Sequence, residues 1–306
     1  MPIPRIAVGP RPIPFAIEAV ASGGCIAVDP GDPAEGCVWL DAENVDGLRE
    51  VLESTPGIRW VQLPFAGVEN FVSNSFVTNE RVWTCAKGSY AEPVAEHALA
   101  LTLAGLRRFP ERIRADVWGE KAGLTLYDAP VTILGGGGIA HALIALLRPF
   151  RAHVTVVRKN PAPIEGADNV VATEELHSAL AEALAVVVAL SLTPATTGII
   201  SRTELNLMRD DAWLVNVARG RHVVTADLVE ALERFEIGGA ALDVTDPEPL
   251  PDRHPLFSLP NCIITPHTAD TPEMIRPLLA RRIATNAAHF LAGEPLEGAV
   301  NVDAGY

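Results

Sequence analysis

An arginine, two carboxylates and a histidine stand just past short apolar runs in the second half of this sequence. The run 213–217 leads into Ala218-Arg219-Gly220. The run 240–244 contains Asp243 and is followed by Asp246-Pro247-Glu248-Pro249, and 263–265 leads into Pro266-His267-Thr268. A guanidinium can hold a carboxylate and polarise the carbonyl beside it. An imidazole titrates near neutrality and can hand a proton to an alkoxide as it forms. A carboxylate hydrogen-bonded to that imidazole favours its charged form and fixes the ring. Such a set suits reduction of a 2-oxo acid. Each residue also has a plainer reading: His267 as a capping or packing residue, Arg219 as a solvated turn residue, Glu248 as a loop carboxylate between prolines, Asp243 as a cap on a backbone amide.

A second constellation lies upstream. The apolar run 131–134 enters Gly135-Gly136-Gly137-Gly138-Ile139-Ala140, followed by an apolar helical segment ending near Leu147. This fits G-x-G-x-x-[G/A] between a strand and a helix. Gly135 permits the tight turn, Gly137 lets the backbone approach a pyrophosphate, and the small Ala140 lets helix pack closely on strand. The anion would sit on amides at the helix N-terminus. The plainer reading is a flexible turn. About twenty residues further on, an acid would accept from the 2′-hydroxyl of NAD. The strand 153–157 ends instead in Arg158-Lys159-Asn160, and the next acid is Glu165. Two cations there suit a 2′-phosphate, so the expected cofactor is NADP(H), with NAD(H) also admitted. A solvated Arg-Lys turn is the alternative.

In open parallel sheets, ligands bind outside the carboxyl ends of the strands, so these residues need strands behind them. Runs at 6–8, 25–28, 37–40, 59–63 and 82–85 alternate with helical stretches, one offered Asp41 as N-cap with Val45, Leu48, Val51 and Leu52 on one face. The stretch 92–106 is apolar on most sides and reads as a buried connector helix between domains. A second series follows at 131–134, 154–157, 186–190, 213–217, 240–244 and 263–265. Strands alternating with helices imply parallel pairing and right-handed crossovers. Ser201-Arg202-Thr203-Glu204 is a capping box, Thr225 caps another helix, and Thr271-Pro272 starts a last helix that runs to about Leu291, ends at Gly293 and is kinked at Pro277. The residues after it are too few for a domain and return to complete the first one.

The composition, 48% hydrophobic and 20% charged, supports sizeable cores. With 24 Lys+Arg against 38 Asp+Glu the net charge is −14, which argues against nucleic-acid or anionic membrane-surface partners. No apolar run approaches the ~20 residues of a bilayer span, and the start lacks a secretory layout. The four cysteines are scattered without C-x-x-C, so neither a disulfide framework nor a metal site is indicated. The expected location is the cytoplasm.

Taken together, Phe65-Ala66-Gly67-Val68-Glu69-Asn70, Val94-Ala95-Glu96-His97, the glycine loop, Leu192-Thr193-Pro194, Val215-Asn216-Val217-Ala218-Arg219-Gly220, Leu242-Asp243-Val244 with Glu248-Pro249-Leu250, and Thr265-Pro266-His267 resemble the D-isomer-specific 2-hydroxyacid dehydrogenase family. They occur in family order and span about residues 60–270. The resemblance implies an α/β fold of two domains, a Rossmann domain (96–286) inserted into a flavodoxin-like substrate domain (1–95 plus 287–306). It assigns substrate binding to Arg219, histidine orientation to Glu248 and acid/base catalysis to His267. It implies that Asp243 meets the nicotinamide carboxamide, and that the backbone amides around Gly67 and Val68, with Phe65 and Ala66, hold the substrate carboxylate. Further cofactor contacts are implied at Gly138, Ile139, Arg158, Lys159, Thr193, Val217 and Ala218. The implied activity is reduction of a small 2-oxo acid, glyoxylate or hydroxypyruvate, by a homodimer. The alternatives are a phosphoglycerate- or D-lactate-type NAD-dependent dehydrogenase and a corepressor-like dinucleotide sensor. Three departures stand out. Gly138 occupies a position usually held by Arg or Ser. Arg158 replaces a frequent acid, as in NADP-using members. Asp270 stands where Gly or Ser is common.

Overall fold

The structure, a computed structural model, describes residues 2–68, 71 and 77–301. Glu69 and Asn70 of the stretch quoted above, and residues 302–306 of the expected substrate domain, lie outside the described residues. The chain divides into two compact units, one of residues up to Tyr90 together with those from Thr271, the other of Ala91–Asp270.

The first unit begins with β1 (Arg5–Gly9), α1 (Pro14–Ser22), β2 (Ile26–Val28), β3 (Gly36–Trp39), α2 (Val45–Ser54), β4 (Trp60–Gln62) and β5 (Val82–Thr84). Its strands pair in parallel in the order β2-β1-β3-β4-β5, the flavodoxin-like order. Leu48 and Leu52 from α2 pack with Val61, Leu63 and Trp83 in its core. The cap of α2 is Asn44, whose side chain accepts from the Gly47 amide at 2.9 Å. Asp41 instead accepts from the Glu43 and Asn44 amides, an Asx turn that leads the chain into the cap.

The second unit holds α3 (Ala91–Leu106), α4 (Phe109–Arg114), β6 (Pro130–Leu134), α5 (Gly138–Leu147), β7 (His153–Val157), β8 (Asn169–Val171), α6 (Leu176–Glu182), β9 (Ala185–Val188), α7 (Arg202–Leu207), β10 (Trp213–Asn216), α8 (Thr225–Glu233), β11 (Gly239–Leu242) and β12 (Cys262–Ile264). All seven strands are parallel, ordered β12-β11-β10-β9-β6-β7-β8. That is the Rossmann order, with its switch point between β6 and β9. Strands β9, β10 and β11 are buried at every residue, as their unalternating apolar runs require. The helix expected as a connector, α3, belongs to this unit and packs on α5. Gly105 lets it approach β10, because a Cβ there would collide with the Trp213 ring. The capping box at Ser201 and Glu204 forms. The cap of α8 is Val224; Thr225 is its first residue and donates to the Asp246 carbonyl at 2.6 Å.

The last helix, α9 (Pro272–Ala292), starts at Thr271 and ends at Gly293 with φ +72°, a conformation glycine adopts without steric cost. It packs on α1. Its buried Asn286 donates to Gln62 Oε1 at 2.8 Å and to the Glu297 carbonyl at 3.0 Å, and accepts from the Glu297 amide. These bonds hold α9 to β4, so the unit boundary falls at 270/271 rather than at the expected 286/287. No helix among the described residues is long and apolar enough to cross a membrane.

Candidate active site

The candidate residues gather at the carboxyl edge of the seven-stranded sheet. Arg219 follows β10, Asp243 and Glu248 follow β11, and His267 follows β12, three neighbouring strands. His267 Nδ1 lies 2.6 Å from Glu248 Oε1, and Glu248 Oε2 accepts from the Thr245 amide at 3.3 Å. His267 is left-handed at φ +51°, a conformation costing of order 1 kcal/mol for a residue with a Cβ. Its N–H donates to the Asp243 carbonyl at 2.8 Å, which helps hold that backbone against the cost. Both partners are exposed on their outer sides, so the ring can be reached.

Asp243 is the buried centre of this edge, 2% exposed. One carboxylate oxygen accepts from the Thr265 hydroxyl at 2.6 Å and the Thr268 amide at 2.9 Å; the other accepts from the Ala269 amide at 3.1 Å. His97 Nε2 is 3.3 Å away and also 3.0 Å from the Thr265 hydroxyl. Burial alone would push the carboxyl up, but these donors outweigh it and hold it down at about 2. Asp243 is therefore an anion that fixes the loop carrying His267.

Arg219 is presented by a stapled turn. Asn216, fully buried at the end of β10, accepts from the Ala218 amide at 3.1 Å and donates to the Arg219 carbonyl at 2.9 Å. The guanidinium donates to the Ala218 carbonyl at 2.7 Å. Gly220 is obligatory, since any Cβ would run into the Thr245 carbonyl. That contact sets the β10 turn against the loop bearing Glu248. Val217 and Ala218 are buried in the same turn.

The glycine loop joins β6 to α5, flanking the switch point. Gly135 has φ +110°, and a Cβ there would strike the Ala189 carbonyl. Gly137 caps α5, and a Cβ on it would meet nothing within 4 Å, so open space lies where a ligand's phosphates can approach. Gly138 and Ile139 open the helix, and buried Ala140 packs it down. Arg158, following β7, runs across this loop: a Cβ on Gly136 would come within 2.9 Å of its Cδ and 3.1 Å of its Nε. Lys159 beside it is exposed. Thr193 lies beyond β9 in a turn closed by its contacts with Thr196. Open backbone at a helix N-terminus with two cations alongside fits a dinucleotide.

Phe65, Ala66, Gly67 and Val68 follow β4 in the first unit, with Phe65 exposed and Val68 buried. Among the described residues the amides of Ala66, Gly67 and Val68 meet no acceptor, which leaves them open to an anion. His97 and Thr265 lay inside quoted stretches without a role; the structure places both on Asp243. The signal was available for His97, a histidine in an otherwise apolar helix that must answer to a buried polar partner.

The family profile for the D-isomer specific 2-hydroxyacid dehydrogenase NAD binding domain matches residues 97–269. A Corynebacterium melassecola protein described as lying in the proB 3′ region is 41% identical over 81% of this chain and 84% of its own length. The glyoxylate reductase/hydroxypyruvate reductase of Homo sapiens is 36% identical over 67% of this chain and 65% of its own length. The crystal structure of a D-isomer specific 2-hydroxyacid dehydrogenase from Xanthobacter autotrophicus Py2, in complex with NADPH and MES, superposes with a TM-score of 0.86 at 26% identity, covering 99% of this chain and all of that one. The chain belongs to the D-isomer specific 2-hydroxyacid dehydrogenase family. It is an oxidoreductase acting on CH–OH donors with a nicotinamide dinucleotide.

Proposed function

We propose that this protein reduces small 2-oxo acids, glyoxylate and hydroxypyruvate foremost, to the D-2-hydroxy acid, with NADPH preferred over NADH. The observation that carries the reading is the 2.6 Å His267–Glu248 pair beside the Arg219 turn, on the sheet edge that also bears the glycine loop. When bound, the cofactor supplies the hydride. Gly135, Gly137, Gly138 and Ile139 would hold its pyrophosphate on open amides. Arg158 and Lys159 would take the 2′-phosphate, and Thr193, Val217, Ala218 and Asp243 would line the rest of the cofactor's path.

The chemistry this chain supplies is positioning and a proton. Arg219 grips the substrate carboxylate and polarises its carbonyl, and the amides of residues 66–68 serve as further carboxylate donors. His267, protonated at Nε2 with Nδ1–H held by Glu248, delivers its proton to the nascent alkoxide. Glu248 stabilises the imidazolium and fixes the ring. We place the enzyme in the cytoplasm, where the buried thiols of Cys25, Cys37, Cys85 and Cys262 stay reduced. It acts there as a homodimer. In support, the segment after α3 exposes Ile113 (80%) and Trp118 (96%), and the same unit carries a cavity of about 420 Å³ lined in part by Leu124, Trp213 and Phe235.

The test is a panel of 2-oxo acids assayed with NADPH and NADH in parallel. His267→Ala should lose ~10²–10⁴-fold in kcat, and Arg219→Ala should raise KM while lowering kcat. Arg158→Ala should raise KM for NADPH and spare NADH. Tight NADPH binding with no turnover on any 2-oxo acid would return the sensor reading.

A further inference from the structure

Among the carboxylates that follow the β10–β11–β12 edge, Asp243, Glu248 and Asp270 are differently employed. Asp243 is saturated by donors, and Glu248 holds His267. Asp270 is the third. It follows directly on Ala269, whose amide is pinned to Asp243, so the backbone that carries it is fixed. It is half-buried, and among the described residues it accepts no hydrogen bond and forms no ion pair. The charges that reach its carboxyl come from each neighbouring strand end: Arg219 after β10, Asp243 after β11 and His267 after β12. Burial pushes this carboxyl up and Asp243 adds to that, while His267 and Arg219 pull it down; burial prevails. A partly buried carboxylate with no donor among the described residues is costly for the fold to keep. Asp243 and Glu248 already hold the loop and the ring, so neither task explains it.

We propose that Asp270 selects substrates by charge, admitting 2-oxo acids whose only anion is the carboxylate held by Arg219 and turning away those bearing a second one. This rests on the reductase reading above and narrows its substrate class. Asp270 stands three residues beyond His267 on the same loop, partly buried and without a hydrogen-bonded donor among the described residues, so a second anionic group on a substrate whose carbonyl faces His267 would meet a like charge that water screens only in part. Like charges there repel much more strongly than in bulk water. Short acids with hydrogen, hydroxyl or methyl beyond the carbonyl meet no such charge. Phosphorylated and dicarboxylic 2-oxo acids do.

The test compares wild type, Asp270→Asn and Asp270→Ser on hydroxypyruvate and pyruvate against 2-oxoglutarate and oxaloacetate, with NADPH saturating. The expected result is that both variants raise kcat/KM for the dicarboxylic acids about tenfold or more while monocarboxylic values move less than about threefold. Raising ionic strength should narrow the gap in wild type and leave it unchanged in the variants. A selectivity ratio that stays put in both variants, with their melting curves unchanged, would overturn the inference while leaving the reductase reading intact. Parallel loss on all four acids would also overturn it and make Asp270 a positioning residue. Should wild type oxidise NADPH with none of the four, nor with glyoxylate, the reductase reading falls and this inference with it.

Discussion

Asp243 shows how one side chain couples stability to the geometry of the site. Its folded carboxyl is held at about 2 against an ordinary value of 3.8. The ionised form is therefore favoured by folding. Its contribution is fully present above pH 4 and drains away as pH falls toward 2, roughly 2 kcal/mol in all. Asp243→Asn should lose stability of that order at pH 7, and the gap to wild type should shrink at pH 3, as read from urea denaturation at the two pH values. At this scale the sequence was informative about which residues matter and less so about what they touch. Type and position after apolar runs made Arg219, Glu248 and His267 candidates, and only the family resemblance gave them roles. Asn216, which staples the Arg219 turn, was visible only as a letter in a motif; His97 stood out as a histidine in an apolar helix, but its pairing with Asp243 did not. Their work is a hydrogen bond across strands or helices, and no local pattern encodes such a partner.

Among the elements, the glycine loop allows a test that separates folding from binding. Gly135→Ala forces a Cβ into the Ala189 carbonyl from a backbone at φ +110°, so it should lower the melting temperature and cofactor affinity together. A Cβ on Gly137 meets open space, so Gly137→Ala should leave the melting temperature within about 2 °C while weakening NADPH binding by isothermal titration. The strands covered on both faces were readable from their unbroken apolar runs. β8 was not, because Asn169–Val171 is three residues long and only partly buried, too short and too mixed for periodicity to register. Helix starts were misplaced wherever several capping residues compete. Asp41 lies three residues ahead of the true cap Asn44, and Thr225 spends its hydroxyl on Asp246 instead of its own helix.

For the molecule as a whole, parallel pairing follows from the alternating runs and the two sheet types from the family resemblance, whereas the line between the units depends on tertiary contacts of α9 that no composition shift marks. Cys37 and Cys262 are pushed up to about 12 by burial, so native protein should react with a thiol reagent such as DTNB only on unfolding. The proposed homodimer is tested by light scattering: wild type should give twice the chain mass, and replacing Ile113 and Trp118 together by serine should give the monomer; a monomeric wild type would overturn the dimer, and an unchanged dimer mass in the variant would remove that segment from the contact. The interrupted first unit also has a consequence for how the chain is made. On the ribosome, residues up to Tyr90 emerge long before α9, which they need to cover α1 and whose Asn286 adds a bond to Gln62. The middle of the polypeptide is thus the portion able to finish first, and the earliest-synthesised strands must wait for the last helix. A fragment ending at Tyr90 should stay unfolded when expressed alone, and one spanning Ala91–Asp270 should fold.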